Sequence, residues 1–172
     1  MSLRSSRGFT LIELIITLAL IAIIATFAVP SFSQLIANNR ITSTTNNLIG
    51  VLNYARAESI KRGRPVDITA LASAGNGDEW GGGWRIWVDA GTAGYQAGEE
   101  IRVFNEVPDS VTVNGPDGVT NFRFRPNGFV DPSPSSGAEY GFQVCDDRTG
   151  ETGRVIQIHT SGRVRHETVT CG

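Results

Sequence analysis

The stretch "FTLIELIITLALIAIIATFAV", Phe9 to Val29, constrains this chain more than any other: 21 residues of nearly unbroken apolar sequence with one charge, Glu13. At about 1.5 Å per residue, a helix of that length reaches roughly 31 Å, the thickness of a bilayer core. Arg4 and Arg7 precede the stretch and no basic residue follows until Arg40. The positive-inside rule then places Met1 in the cytoplasm and everything from Pro30 onward outside. A secretory signal peptide cut after Ala28 is the competing reading, since "TFA" resembles a small-residue cleavage site. Against it, the apolar run is longer than an ordinary signal core and carries a carboxylate.

That carboxylate needs a partner. A charge in hydrocarbon costs at least about 2.5 kcal/mol on insertion scales. No Lys or Arg lies three or four residues from Glu13, where a helix would bring it alongside. A cut between Gly8 and Phe9 would create an α-amino group four residues before Glu13. In a packed array of such helices, one subunit's carboxylate meets another's amine.

The segment "RGFTLIELI" resembles the class III signal of type IV pilins and pseudopilins. The resemblance implies that a prepilin peptidase cuts after Gly8, that Phe9 becomes the N-methylated first residue, and that Glu13 neutralises a neighbour's amine during assembly. Leu11, Ile15, Leu18, Ile21 and Ile24 then line helix faces in the fibre core, with Glu13 setting register.

Helical character continues past Val29. Pro30 removes one hydrogen bond and should kink or loosen the helix. Beyond it, Leu35, Ile41, Leu48, Leu52, Ala55 and Ser59 fall near one stripe, with Asn, Thr and Arg opposite. Lys61 and Arg62 suit the C-terminal dipole, and Gly63 followed by Pro65 ends the helix, which should run from about Phe9 to Arg62.

After Gly63 the pattern changes to short runs rich in Val, Ile, Phe, Trp and Thr: "PVDITALA", "WRIWVDA", "EEIRVFN", "SVTVNG", "NFRFRPNG", "EYGFQVC", "RVIQIHT" and "RVRHETVTC". Several alternate apolar with polar residues, as half-buried antiparallel strands do. The loops "GNGDEWGGG", "GTAGYQAG", "NGPDG" and "DPSPSSG" supply turn geometry. The expected fold is α+β: a long N-terminal helix packed on an antiparallel β head. Residues 1–8 form a leader, 9–29 a transmembrane helix, 30–62 its amphipathic half and 63–172 the head. Cys145 and Cys171 have no CxxC spacing and no His at metal-ligand distance, so a disulfide is expected once the head is outside the cytoplasm.

The segments "LNYARAESIKRGRPVDIT", "GGGWRIWVD", "EEIRVF" and "RFRPNGF" resemble the GspH/FimT branch of pseudopilins and minor pilins over nearly the full chain. This resemblance implies a head of two antiparallel sheets and a minor subunit that initiates or caps a fibre near its tip. Its partners are other major and minor pilins and the prepilin peptidase. The resemblance also implies that the chain sits in the bacterial inner membrane before assembly, with its head in the periplasm. The alternative within the branch is the H-type pseudopilin of a type II secretion machine.

A formal net charge of −2 argues against a broadly basic nucleic-acid surface, so any polyanion site must be small. The C-terminal "RVIQIHTSGRVRHETVTCG" is a cationic spot on an acidic protein, holding Arg154, Arg163 and Arg165. Arg163 and Arg165 on a strand stand about 7 Å apart on one side, near the phosphate spacing of a nucleic-acid strand. "GRVR" also resembles the GRxR motif of FimT-type pilins that bind DNA. The bland alternative makes Gly162 a hairpin turn and leaves both arginines solvated or paired with Glu167 and Asp146.

Other candidates are weaker. Asp89, Glu99 and Glu100 lie in one loop but lack EF-hand spacing, so a plain hairpin loop is favoured over Ca²⁺. "GNGDEWGGGW" lacks the Lys-Ser/Thr of a phosphate loop. Trp80, Trp84 and Trp87 are expected to pack on the helix, and His159 and His166 have no catalytic constellation. The expectation is therefore no enzyme activity, no metal, no cofactor and no small-molecule substrate.

Overall fold

The computed structural model describes residues 9–71, 78–91, 94–105, 107–115, 119–131 and 139–172. Arg4, Arg7 and Gly8 lie outside these residues, as do parts of all four expected loops. The chain divides into two compact units, residues up to Asn38 and residues from Asn39 on.

Helix α1 spans Leu11–Arg62. It starts later than expected because Thr10 caps it: the Thr10 Oγ1 accepts the Glu13 N–H at 3.3 Å, and the Thr10 carbonyl accepts the Leu14 N–H at 3.2 Å. As expected, it continues through Pro30 to Arg62. One proline removes a single backbone donor, and the helical bonds on either side hold. The Thr26 and Ser33 hydroxyls bond back to the Ile23 and Val29 carbonyls, at 2.6 and 3.1 Å. Leu35, expected on the buried stripe, is exposed along with the apolar residues before it.

In the second unit, α1 buries Ile41, Thr44, Thr45, Leu48, Val51, Leu52, Ala55, Glu58 and Ser59, at the three- and four-residue steps of one helix face. Thr44 and Thr45 thus sit inside, not on the polar side assigned to threonine. Thr45 manages burial by donating its hydroxyl to the Ile41 carbonyl at 2.7 Å. The last turn carries Lys61 and Arg62 as expected, but both also pair with Glu58, at 3.5 and 2.6 Å.

All eight expected strands form: β1 (Val66–Ala70), β2 (Trp84–Val88), β3 (Glu100–Phe104), β4 (Val111–Asn114), β5 (Asn121–Phe124), β6 (Glu139–Asp146), β7 (Thr152–His159) and β8 (Val164–Thr170). They make two antiparallel four-stranded sheets, ordered β3-β2-β1-β5 and β4-β6-β7-β8. Inward residues of both sheets, including Ile68, Ile86, Phe124, Phe142, Val144 and Ile156, share one core with Leu48, Leu52 and Ala55 of α1. Trp80 stands edge-on to Phe142 with centroids 5.1 Å apart.

The outer face of the first sheet departs from simple alternation. Asp67 and Trp87, paired across β1 and β2, are buried although both point away from the core. Trp80 and Trp84 belong to the core shared with α1, as expected, but Trp87 does not pack on the helix. Its indole N–H donates to Thr69 Oγ1 at 2.8 Å, and Tyr95 from the β2–β3 loop covers it.

The Cys145–Cys171 disulfide joins β6 to the residue after β8. Strand β7 lies between those two, so the bridge steps over it at Gly153. A Cβ there would collide with both sulfurs, which makes Gly153 the residue that lets the bridge close.

Candidate functional site

Two surfaces gather the candidate functional residues. The first is the start of α1. Phe9 precedes the helix and is 84 % exposed. Glu13 occupies the third helical position, three residues after the Thr10 cap, the spacing of a capping box. A carboxylate there also faces the positive end of the helix dipole, worth about 0.3–1 kcal/mol at an exposed site. Thr10 is not among the expected site residues, and its signal in the sequence is Thr-x-x-Glu before an apolar run. Every apolar side chain from Leu11 to Ile36 that is large is exposed, including Leu11, Ile15, Leu18, Ile21 and Ile24. The helix is long and apolar enough to cross a membrane.

The second surface is the β7–β8 hairpin. Gly162 turns it with φ 77°, its N–H donating to the His159 carbonyl at 2.7 Å. A Cβ on Gly162 would strike the Gly128 carbonyl, which also accepts from Arg56 of α1 at 3.1 Å. The turn is therefore pinned against its surroundings. Beyond it, Arg163 and Arg165 are both exposed. Arg165 pairs across the sheet with Gln157 and so lies on the outer face. Arg154 does not join them. It alternates with Ile156 and Ile158, hence lies on the opposite face, half-buried, and donates to the Gly153 carbonyl at 3.0 Å. The expected trio is a pair. Asp146, the other expected counter-charge, is held by Arg148 at 2.6 Å. His159 accepts the Ser161 N–H at Nδ1, 3.1 Å away, which places its own proton on Nε2 when neutral.

The loop carboxylates serve the protein itself. Glu99 accepts from the Ala90 and Gln96 N–H groups, Asp89 from the Gly91 N–H and from Arg123, and Glu100 pairs with Arg85. Among the described residues no cluster of metal-binding side chains forms.

Arg123 forks between Asp67, which it meets at 2.9 Å, and Asp89 at 2.6 Å. Burial pushes the Asp67 carboxyl up, and hydrogen bonds from Arg123 and Asn121 work against that rise. This cluster, with Trp87 and Tyr95, fastens the β2–β3 loop to the sheet. Sequence reading could not find it, because nothing in "VDIT" marks Asp67 as buried on the outer side. Asp78, likewise pushed up by burial, accepts the Val113 N–H at 2.6 Å and ties its loop to β4.

Two family models match. Residues 3–29 match the prokaryotic N-terminal methylation motif, and residues 44–162 match type II transport protein GspH. The fold and the exposed first helix define a pilin-like protein, and the chain belongs to the GspH family of type IV minor pilins and pseudopilins. It is similar to the type IV minor pilin FimU of Pseudomonas aeruginosa in two crystal forms. One is 28 % identical, with a TM-score of 0.59 over 73 % of this chain and 91 % of that one. The other is 27 % identical, with a TM-score of 0.58 over 76 % and 90 %. No curated protein sequence matches. The family and these structural relatives are pilins, structural proteins rather than enzymes, which associate with other pilins and are processed by prepilin peptidase.

Proposed function

We propose that this chain is a minor pilin of a type IV pilus, cut between Gly8 and Phe9, methylated at Phe9 and then helping to initiate or cap the fibre near its tip. Before assembly, residues 9–29 hold it in the inner membrane with the β head in the periplasm. The observation that carries this reading is the methylation motif over residues 3–29, leading into an exposed apolar helix with Glu13 in its first turn. Glu13 gives its backbone N–H to the Thr10 cap, and its charge still needs a cation once the helix enters an apolar environment. The new amine on a neighbouring subunit supplies it. The mass and N-terminus of the mature chain test the cut: a start at N-methylated Phe9 is expected, and a start at Val29 would end this reading. Glu13→Ala should leave the head folded and the helix inserted while incorporation into fibres is lost.

The H-type pseudopilin of a type II secretion machine is the second reading, favoured by the description of the family model, whereas the FimU likeness favours the pilus. A deletion strain separates them by losing either pili or secreted proteins. A third activity, DNA binding, rests on Arg163 and Arg165 standing exposed beside one turn. Replacing both by Ala should weaken duplex binding and reduce the salt slope by about 2. Unchanged binding removes that activity.

A further inference from the structure

The second sheet ends in β8, seven residues long and mostly exposed. Its hydrogen-bond phase is fixed by its ends: the His159 N–H donates to the Arg163 carbonyl, and the Cys171 N–H to the Glu151 carbonyl. Odd-numbered residues of β8 therefore bond to β7. Val164, His166, Thr168 and Thr170 turn their backbone N–H and C=O groups away from the sheet. That is an open template for another strand, and charged side chains along it normally discourage indiscriminate pairing.

Here the charges select a partner. Arg165 and Glu167, on either side of His166 in sequence, share the outer exposed face of the strand. We propose that two copies of this chain join through antiparallel β8–β8 pairing centred on His166. In that register His166 faces His166 of the second copy, and Val164 and Thr168 face each other in hydrogen-bonded pairs. Arg165 and Glu167 then stand opposite each other twice, in the non-hydrogen-bonded positions where side chains come closest. Other registers of the same phase are worse. Centring on Arg165 or Glu167 sets that charge against itself, centring on Val164 sets Arg165 against Arg163, and centring on Thr168 forms no ion pair. The sheets of two heads then continue as one. The pairing also covers the side of Arg165, so a paired head offers less of the arginine surface to DNA.

Crosslinking of the full-length chain in membrane vesicles tests this. His166→Cys should give a disulfide-linked dimer on oxidation, because facing Cα atoms of such a pair lie about 5.5 Å apart. Thr168→Cys adds a comparable exposed thiol, but its two copies would lie roughly 14 Å apart, so at least about tenfold less dimer is expected. Adding Arg165→Glu to His166→Cys should cut the dimer about fivefold, and adding Glu167→Arg as well should restore it. Equal crosslinking at both positions, none at either, or no recovery in the charge swap overturns the proposal. None of these outcomes touches the maturation and Glu13 tests, so the fibre reading stands or falls separately.

Discussion

One helix, α1, passes through two chemical regimes. Up to Asn38 its apolar side chains are exposed on every side, Phe27 and Phe32 included. From Ile41 to Ser59 a single face is buried in a core that the chain supplies itself. The difference lies in how apolar residues are distributed around the helix. A helix that is apolar all round cannot be satisfied by one flanking domain and takes its environment from a bilayer or from other subunits, whereas a one-sided stripe is completed by two sheets. The first half thus leaves its apolar surface to partners outside the chain, and the second completes a core within it.

The sharpest way to break that contrast is to truncate a large side chain in each half. Leu48→Ala removes a fully buried residue at the centre of the core and should destabilise the head by about 2–5 kcal/mol in chemical unfolding. Leu18→Ala, exposed in the first half, should leave the same transition unmoved. A comparable loss from Leu18→Ala would mean that the two halves are not energetically separate.

The next effect belongs wholly to the second unit. Cys145→Ser with Cys171→Ser opens a loop with a sequence separation of 26, which on the chain-entropy model lowers stability by about 3 kcal/mol. Gly153→Ala should interfere in another way, by crowding both sulfurs, so that the bridge forms incompletely and free thiol is detected by alkylation. Quantitative bridging in Gly153→Ala would show that β7 can yield at that point.

The strands and the core face of α1 were legible because alternation and helical spacing report directly on which side is buried. Hence the eight runs and the stripe through Leu48, Leu52 and Ala55 were found. What sequence could not carry was the second covering of a sheet. Asp67 and Trp87 are buried by a loop more than twenty residues away from Asp67 in sequence, and no period in β1 or β2 encodes a loop folding back. The same limit applies to the arginines: Arg163 and Arg165 stand two residues apart beside one turn, whereas strand pairing sends Arg154, near them in sequence, to the other face. Thr44 and Thr45 are buried because position on the helix, not residue type, decides which face meets the core.

A smaller effect sharpens the second half through pH. Glu58 is buried at the end of the stripe, and the hydrogen bond from Arg62, helped by Lys61, holds its carboxyl below the usual range against the cost of burial. A carboxyl with a lowered folded pKa contributes stability above its unfolded value of about 4.3, and loses it as pH falls through the folded pKa. Glu58→Gln should therefore reduce stability at neutral pH slightly and flatten the acid limb of the stability profile. A parallel downward shift at every pH would show that packing rather than charge is what Glu58 provides.

The smallest energetic change asks the most of the first half, because Glu13 sits in two arrangements at once. As the third helical residue it belongs to the cap built on Thr10, and as a lone carboxylate in an apolar helix it needs a cation. Thr10→Val removes the capping oxygen while keeping shape and charge, and should loosen the first turn by about 1 kcal/mol, seen as faster amide exchange at Ile12 and Glu13. Glu13→Gln keeps the backbone N–H that Thr10 caps and removes the charge. If register in the fibre is electrostatic, Thr10→Val chains still enter fibres and Glu13→Gln chains do not. If Glu13→Gln chains enter fibres normally while Thr10→Val chains do not, the order of the first turn is what matters, and the amine on the neighbouring subunit is not what Glu13 answers to.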